Sequence, residues 1–134
     1  MKEERFRFLE HMADVLFEAR GKTFEEALRN AALAMFSYIG NAEDRESFVL
    51  KEKGGSKEEL VVFLLSSLLS EMEVRGMVLN RIDILEYDEK KNGIRVMAFG
   101  EKKEPTHSVK GVTFHMLQVK EGEGEWRIRI LLDV

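Results

Sequence analysis

Ser56-Lys57-Glu58-Glu59-Leu60-Val61-Val62-Phe63-Leu64-Leu65-Ser66-Ser67-Leu68-Leu69-Ser70-Glu71-Met72-Glu73-Val74-Arg75-Gly76 is the stretch whose reading decides the fold. Ser56 with Glu59 three residues on is a capping box, and Gly76 is a stop signal, so the segment between them is a helix. Leu60, Val61, Phe63, Leu64, Leu65, Leu68, Leu69 and Met72 cover most of its circumference. Such a helix must be buried on more than one side. Its greasy run is too short, too acidic at its flanks and too interrupted by Ser66 and Ser67 to span a bilayer.

A second capping box, Thr23 with Glu26, opens another helix that runs to Gly40. Phe24, Ala27, Leu28, Ala31, Met35, Tyr38 and Ile39 recur on one face, so this helix reads as amphipathic. Around the two helices the chain alternates with period two or carries β-branched and aromatic residues. The strand candidates are Arg5 to Leu9, Val15 to Arg20, Phe48 to Lys53, Val78 to Tyr87, Ile94 to Gly100, Val112 to Val119 and Trp126 to Val134. Asp88 to Gly93 and Glu121 to Glu125 carry turn residues between apolar runs, which predicts hairpins. Strands are too many and helices too few for a doubly wound sheet. The expected fold is α+β: largely antiparallel sheet of about six to seven strands packed with two helices, in a single domain over residues 1–134.

Composition narrows the function classes. The 134 residues include 44% hydrophobic side chains and one proline, enough for one real core. A net charge of −4 on a background of 34% charged residues offers no general basic field, which disfavours direct nucleic-acid binding. The absence of cysteine excludes disulfides and thiolate metal sites and fits a reducing compartment. Met1 to Arg5 lack the apolar core of a signal peptide, so the expected location is the cytoplasm, with no membrane contact.

The chemistry-bearing residues sit near the two ends. Leu132-Asp133-Val134 places a carboxylate beside the terminal α-carboxylate, and Asp14 follows His11 near the start. If the ends meet, three oxygen donors converge on what would be a hard-cation site. Strand parity puts Asp133 with Arg127 and Arg129, off the apolar face, and Asp14 with Glu18 and Arg20. Each aspartate equally fits simple solvation, and Asp14 also fits a turn role. His11, His107 and His115 lack the regular spacing of a zinc motif. Gly54-Gly55-Ser56 is explained by a turn and an N-cap, without a phosphate loop. Two other readings stay open: a metal-dependent phosphoryl hydrolase using Asp14 and Asp133 with His11 or His115 as acid or base, and a chaperone-like binding module.

Taken together, His11-Met12-Ala13-Asp14-Val15, Gly21 to Ala27, Asn30 to Phe36, Gly100-Glu101, Val109-Lys110-Gly111-Val112-Thr113-Phe114-His115 and Leu132-Asp133-Val134 resemble the archease family, in the right order and over nearly the whole chain. The resemblance implies a protein cofactor and not an enzyme. Archeases act on the RtcB-type RNA ligase of tRNA splicing, promoting its guanylylation by GTP and its multiple turnover. The resemblance also implies a divalent cation, calcium, magnesium or manganese, held by Asp14, Asp133 and a main-chain oxygen of Val134, with His11, Lys110 and His115 as possible partner or supporting contacts. This chain departs from the family pattern in having Met12 where threonine is usual, in Gly111 and Phe114, and in a short connection around His107.

Overall fold

The structure is a computed structural model that describes residues 4–9 and 14–134. Within these residues the order is β1 (Phe6–Leu9), β2 (Val15–Gly21), α1 (Phe24–Ile39), β3 (Glu46–Lys53), α2 (Lys57–Arg75), β4 (Met77–Asp88), β5 (Gly93–Lys102), β6 (Gly111–Gly122) and β7 (Glu125–Asp133). Both capping boxes form: the Thr23 and Ser56 hydroxyls accept the main-chain N–H groups of Glu26 and Glu59. Gly76 closes α2 in the left-handed conformation, φ 64°, where a side chain would be strained.

The strands form two antiparallel sheets, ordered β1-β2-β7-β6 and β3-β5-β4. Both helices lie between them. α1 packs on β2 and β7 of the first sheet and on β4 of the second, while α2 packs on β6 of the first and on β3 and β4 of the second. This is the two-sided burial that the apolar girth of α2 predicts, with Leu60, Leu64, Leu65 and Leu68 fully buried. α1 is buried more widely than its amphipathic stripe suggests. Asn30, Ala32, Ala34 and Phe36 are covered as well as the predicted face. Its small alanines let a sheet approach closely, and the hairpin-like step from β2 into α1 is equally tight. A Cβ added to Gly21 would overlap the Ala27 main-chain nitrogen. One contiguous core joins β2, β7, both helices and the second sheet through Phe17, Ile130, Leu28, Met35, Leu64, Leu79 and Val96.

The layers are pinned at one end by a cluster drawn from four elements. The Phe24 ring lies 5.6 Å from Trp126 and 5.3 Å from Tyr87, and the Lys57 ammonium sits 5.5 Å and 5.8 Å from the Phe24 and Trp126 ring centres. Lys57 also pairs with Glu89 at 3.5 Å. Burial raises the Tyr87 hydroxyl above the usual tyrosine range. It has no hydrogen-bond partner among the described residues, so its coupling to Lys57 acts through space. For Lys57, burial works against the charge, but Tyr87 and Glu89 more than offset it and hold the ammonium above its usual value.

The strand alternation breaks in two strands: β4 is bulged against β5 at Asn80 and Leu85, and β6 is interrupted against β7. β6 runs in register with β7 from Gly111↔Asp133 to Thr113↔Leu131, then resumes at Gln118↔Arg129. Phe114, His115, Met116 and Leu117 therefore occupy a space where β7 supplies only Ile130, and Met116 takes a left-handed φ of 59°. Phe114 and Met116 are left 53% and 40% exposed, with Phe114 edge-on to Phe63 of α2. The strand expected from Val112 to Val119 lies within β6, but its register against β7 is interrupted by this bulge. Period-two alternation does not report an insertion that is absorbed by a bulge.

Two stability measurements follow. Leu64→Ala, in the buried centre of α2, is expected to cost about 2–5 kcal/mol in chemical denaturation, whereas Val74→Ala on its exposed flank is expected to stay within about 0.5 kcal/mol. Because Tyr87 and Lys57 are both shifted upward, the folded state holds their protons more tightly than the unfolded chain. That contribution is complete below the unfolded values, about 10 for such groups, and is lost as pH rises through the folded ones. Melting temperature should therefore fall above about pH 10, and Tyr87→Phe should flatten the fall. Identical alkaline slopes for the two proteins would count against the coupling.

Candidate functional site

β2 and β7 are the two central strands of the first sheet, and their register brings the early and late segments of the chain together. Val15 pairs with Leu132, Phe17 with Ile130 and Glu18 with Arg129. Asp14 lies in the bend just before Val15, so it and Asp133 flank the same end of this ladder. Phe17, Ala19, Ile128, Ile130 and Leu132 face the helices, so the alternation leaves both aspartates on the outer face. Asp14 is half-buried and Asp133 is exposed. Val134 follows directly and packs partly against the core.

β6 flanks the same end from the other side. The Lys110 main-chain N–H donates to the Asp133 carbonyl at 2.7 Å, and Gly111 pairs with Asp133. The bond consumes the Asp133 carbonyl and fixes the last strand, leaving the two carboxylates unaffected. Lys110 is thus brought to the site by its backbone, with its side chain exposed. His115 lies farther along, exposed in the irregular part of β6. His11 lies outside the described residues.

The pair of aspartates has a clear electrostatic character. Like charges brought to one end of a ladder repel each other. No ion pair or side-chain hydrogen bond among the described residues involves either carboxylate, in contrast to Glu18, which lies between Arg7 and Arg129 at 3.8 Å and 3.5 Å. Nor does any group of three or more His, Asp or Glu side chains converge among the described residues. Two carboxylates, joined by the main-chain oxygen of Val134 that the family resemblance implies, would be an oxygen-only donor set. Such a set fits a hard divalent cation that keeps part of its coordination sphere for water or another group.

The C-terminal end of α1 lies toward this end of the sheet. α1 turns back on β2 after Lys22-Thr23, and its 16 residues span roughly 24 Å against roughly 23 Å for the seven of β2. The connection between β5 and β6 caps it: Thr106 and His107 donate main-chain N–H groups to the Ile39 carbonyl at 2.7 Å and 3.1 Å. His107 Nδ1 lies 2.9 Å from the Tyr38 carbonyl and donates to it, and its ring stacks on Tyr38 at 4.7 Å. His107 is therefore a helix-capping residue, and Val109-Lys110 carry the chain from that cap to Asp133. α1 has no basic residue in its last turn, so the negative end of its dipole adds to the cation-attracting character of this region.

Sequence reasoning missed three groups. Glu18, assigned by parity to the open face, is only 5% exposed and is held by two arginines. His107 gave no signal of its capping role, because its partners, Tyr38 and Ile39, are some seventy residues away. A polar cleft beside the N-terminus of α1, involving Arg5, Arg20 and Arg29, had no local signature at all.

Comparison with known proteins agrees with this architecture. The family model described as "Archease protein family (MTH1598/TM1083)" matches residues 6–134. Protein archease of Methanosarcina mazei is 33% identical over 141 residues, covering 98% of this chain and 97% of the relative. Protein archease of Pyrococcus abyssi is 28% identical, covering 98% and 99%. The solution structure of Methanobacterium thermoautotrophicum protein 1598 superposes with a TM-score of 0.83 at 29% identity, covering 97% of this chain and 99% of that one. The crystal structure titled as an archease and possible chaperone from Thermotoga maritima shares the fold, with a TM-score of 0.72 at 19% identity over 100% and 98% of the two chains. By the match of residues 6–134 to the family model and by these relatives, the chain belongs to the archease family.

Proposed function

We propose that this protein is an activator of an RtcB-type RNA ligase, promoting the ligase's guanylylation by GTP and its multiple turnover in tRNA splicing or RNA repair. It acts in the cytoplasm as a protein cofactor, without chemistry of its own and without gripping RNA directly. Membership of the archease family supports this reading. The observation that carries it is the β2–β7 register, which brings Asp14 and Asp133 to one end of the ladder with no ion pair to either among the described residues.

Asp14, Asp133 and the Val134 main-chain oxygen would hold the cation, be it calcium, magnesium or manganese. Bound there, a divalent ion supplies positive charge that can neutralise phosphate oxygens. The chain's own residues do the positioning. The Lys110 N–H to Asp133 carbonyl bond fixes the closing strand, and the Glu18–Arg129 pair fixes its register against β2. Lys110 and His115 are exposed beside this end, where they can meet a partner's groups.

A second reading has one observation in its favour. Phe63, Phe114 and Met116 form a partly exposed apolar group where β6 bulges beside α2. Surface of this kind suits transient capture of other chains, and the Thermotoga maritima relative is titled a possible chaperone. No observation favours the hydrolase alternative.

In a multiple-turnover ligation assay at limiting ligase, Asp14→Ala and Asp133→Ala are each expected to abolish stimulation while circular dichroism shows an intact fold. Full stimulation by both variants would refute the activator reading. A readout without ligase is also available. In the presence of chelator, Asp133→Asn should melt no lower than the parent, because it relieves like-charge repulsion. With millimolar calcium or manganese the order should reverse, since only the parent gains from binding. If Phe114→Ser instead removes suppression of client aggregation and spares ligase stimulation, the chaperone-like activity is separate.

A further inference from the structure

At the opposite end of the β2–β7 pair, roughly 23 Å along the strand from Asp14, lies a cleft of about 800 Å³. α1 forms one wall, with the ends of β1 and β2, part of β4 and the turn between β6 and β7 completing it. Its size is in the range of small-molecule sites, although its lining is polar.

The charges around it are not evenly satisfied. Every acid of the lining has a partner within the chain. Glu4 pairs with Arg20 at 3.8 Å, Asp83 with Arg81 at 2.6 Å, and Glu123 and Glu125 both with Arg127. Glu26 accepts the Lys22 main-chain N–H at 3.3 Å as part of the capping box. The cations are treated differently. Arg81 is locked between Asp44 and Asp83, and Arg20 is held loosely. Arg5, Lys22 and Arg29 are exposed and make no ion pair among the described residues. The lining is balanced at five acids and five cations, and what the cleft offers an anion is the set of three cations that make no ion pair among the described residues. It coincides with the N-terminal end of α1, whose dipole has the same sign.

The cleft wall is also built, not incidental. Asn30 is 92% removed from solvent, as its 8% exposure shows, in the middle of a helix otherwise buried through apolar side chains. Its Nδ2 donates to the Arg20 main-chain carbonyl at 2.7 Å, fixing the end of β2 and with it the base of the Arg20 side chain. No aromatic residue lines the cleft among the described residues, so these offer no platform on which a nucleobase would stack.

We propose that this cleft binds a compact polyanion, a ligand bearing two or more phosphate or carboxylate groups, through Arg5, Lys22 and Arg29, with Arg20 as a fourth contact. Guanidinium groups suit this task because they meet such oxygens in bidentate geometry. The site is separate from the aspartate pair and does not depend on the activator reading.

The test is isothermal titration of the purified protein with tripolyphosphate and, separately, with citrate, at fixed ionic strength and without divalent metal. The expected result is saturable 1:1 binding of at least one of them, with affinity falling about tenfold in Arg29→Ala and in Arg5→Ala. Lys51→Ala, which removes an exposed charge on β3, should leave the affinity unchanged. Preference for tripolyphosphate identifies a phosphate ligand, and preference for citrate a polycarboxylate. Absence of saturable heat with both probes, or equal weakening by Arg29→Ala and Lys51→Ala, overturns the proposal.

Discussion

The pairing of β2 with β7 is the constraint on which the rest of this molecule depends. These strands begin and end the described core, and residues more than a hundred positions apart, Glu18 and Arg129, meet across them. Their inner faces, Phe17 and Ala19 against Ile130 and Ile128, form one floor of the helix layer. A slip of one residue would turn Phe17 or Ile130 outward and bring Glu18 against α1, so the apolar pattern fixes register strongly. The partly unsatisfied Glu18–Arg129 contact, with Glu18 Oε1 and Arg129 Nε lacking hydrogen-bond partners among the described residues, is a costly way to mark that register. It makes sense if the relative position of Asp14 and Asp133 matters. Contacts of such sequence separation also delay the reward for closing the chain, so formation of this sheet is expected to be a late, slow step of folding.

Much of this fold was legible because its signals are local. Thr23 with Glu26 and Ser56 with Glu59 announce both helices, Gly76 ends the second, and every strand is visible as an alternating or β-branched run. The girth of α2 even requires cover on two sides, which the two sheets supply. What was illegible is non-local. Nothing in residues 15–21 states that they pair with 126–132, and the division of seven strands into two sheets follows from that choice. The insertion in β6 hid behind an apparently regular pattern, since Phe114 and Met116 have the residue types of buried strand positions and are nevertheless exposed. Glu18 was misjudged for a related reason: parity gives the face of a sheet but not what covers it.

The candidate site was legible to a different degree. Asp14 and Asp133 could be named from the sequence, and the resemblance to archeases gave them a role. Neither parity nor spacing could show that one ladder brings them to the same end of the sheet. His107 illustrates the converse. A histidine in a charged loop invites a chemical role, yet its Nδ1 donates to the Tyr38 carbonyl and its ring lies on Tyr38, so its contacts are those of a helix cap. Capping partners far away in sequence leave no mark beside the residue that caps.

α1 links the two ends of the molecule electrostatically. Its first turn opens beside the arginine-rich cleft, and its last turn, free of basic residues, points toward the aspartate pair. The helix dipole thus has the sign that favours an anion at one end and a cation at the other. Each effect alone is small, about 0.3–1 kcal/mol, and is weakened by salt. Their common direction matters more than their size, because Asn30 and Gly21 hold α1 rigidly against β2 along its first turns.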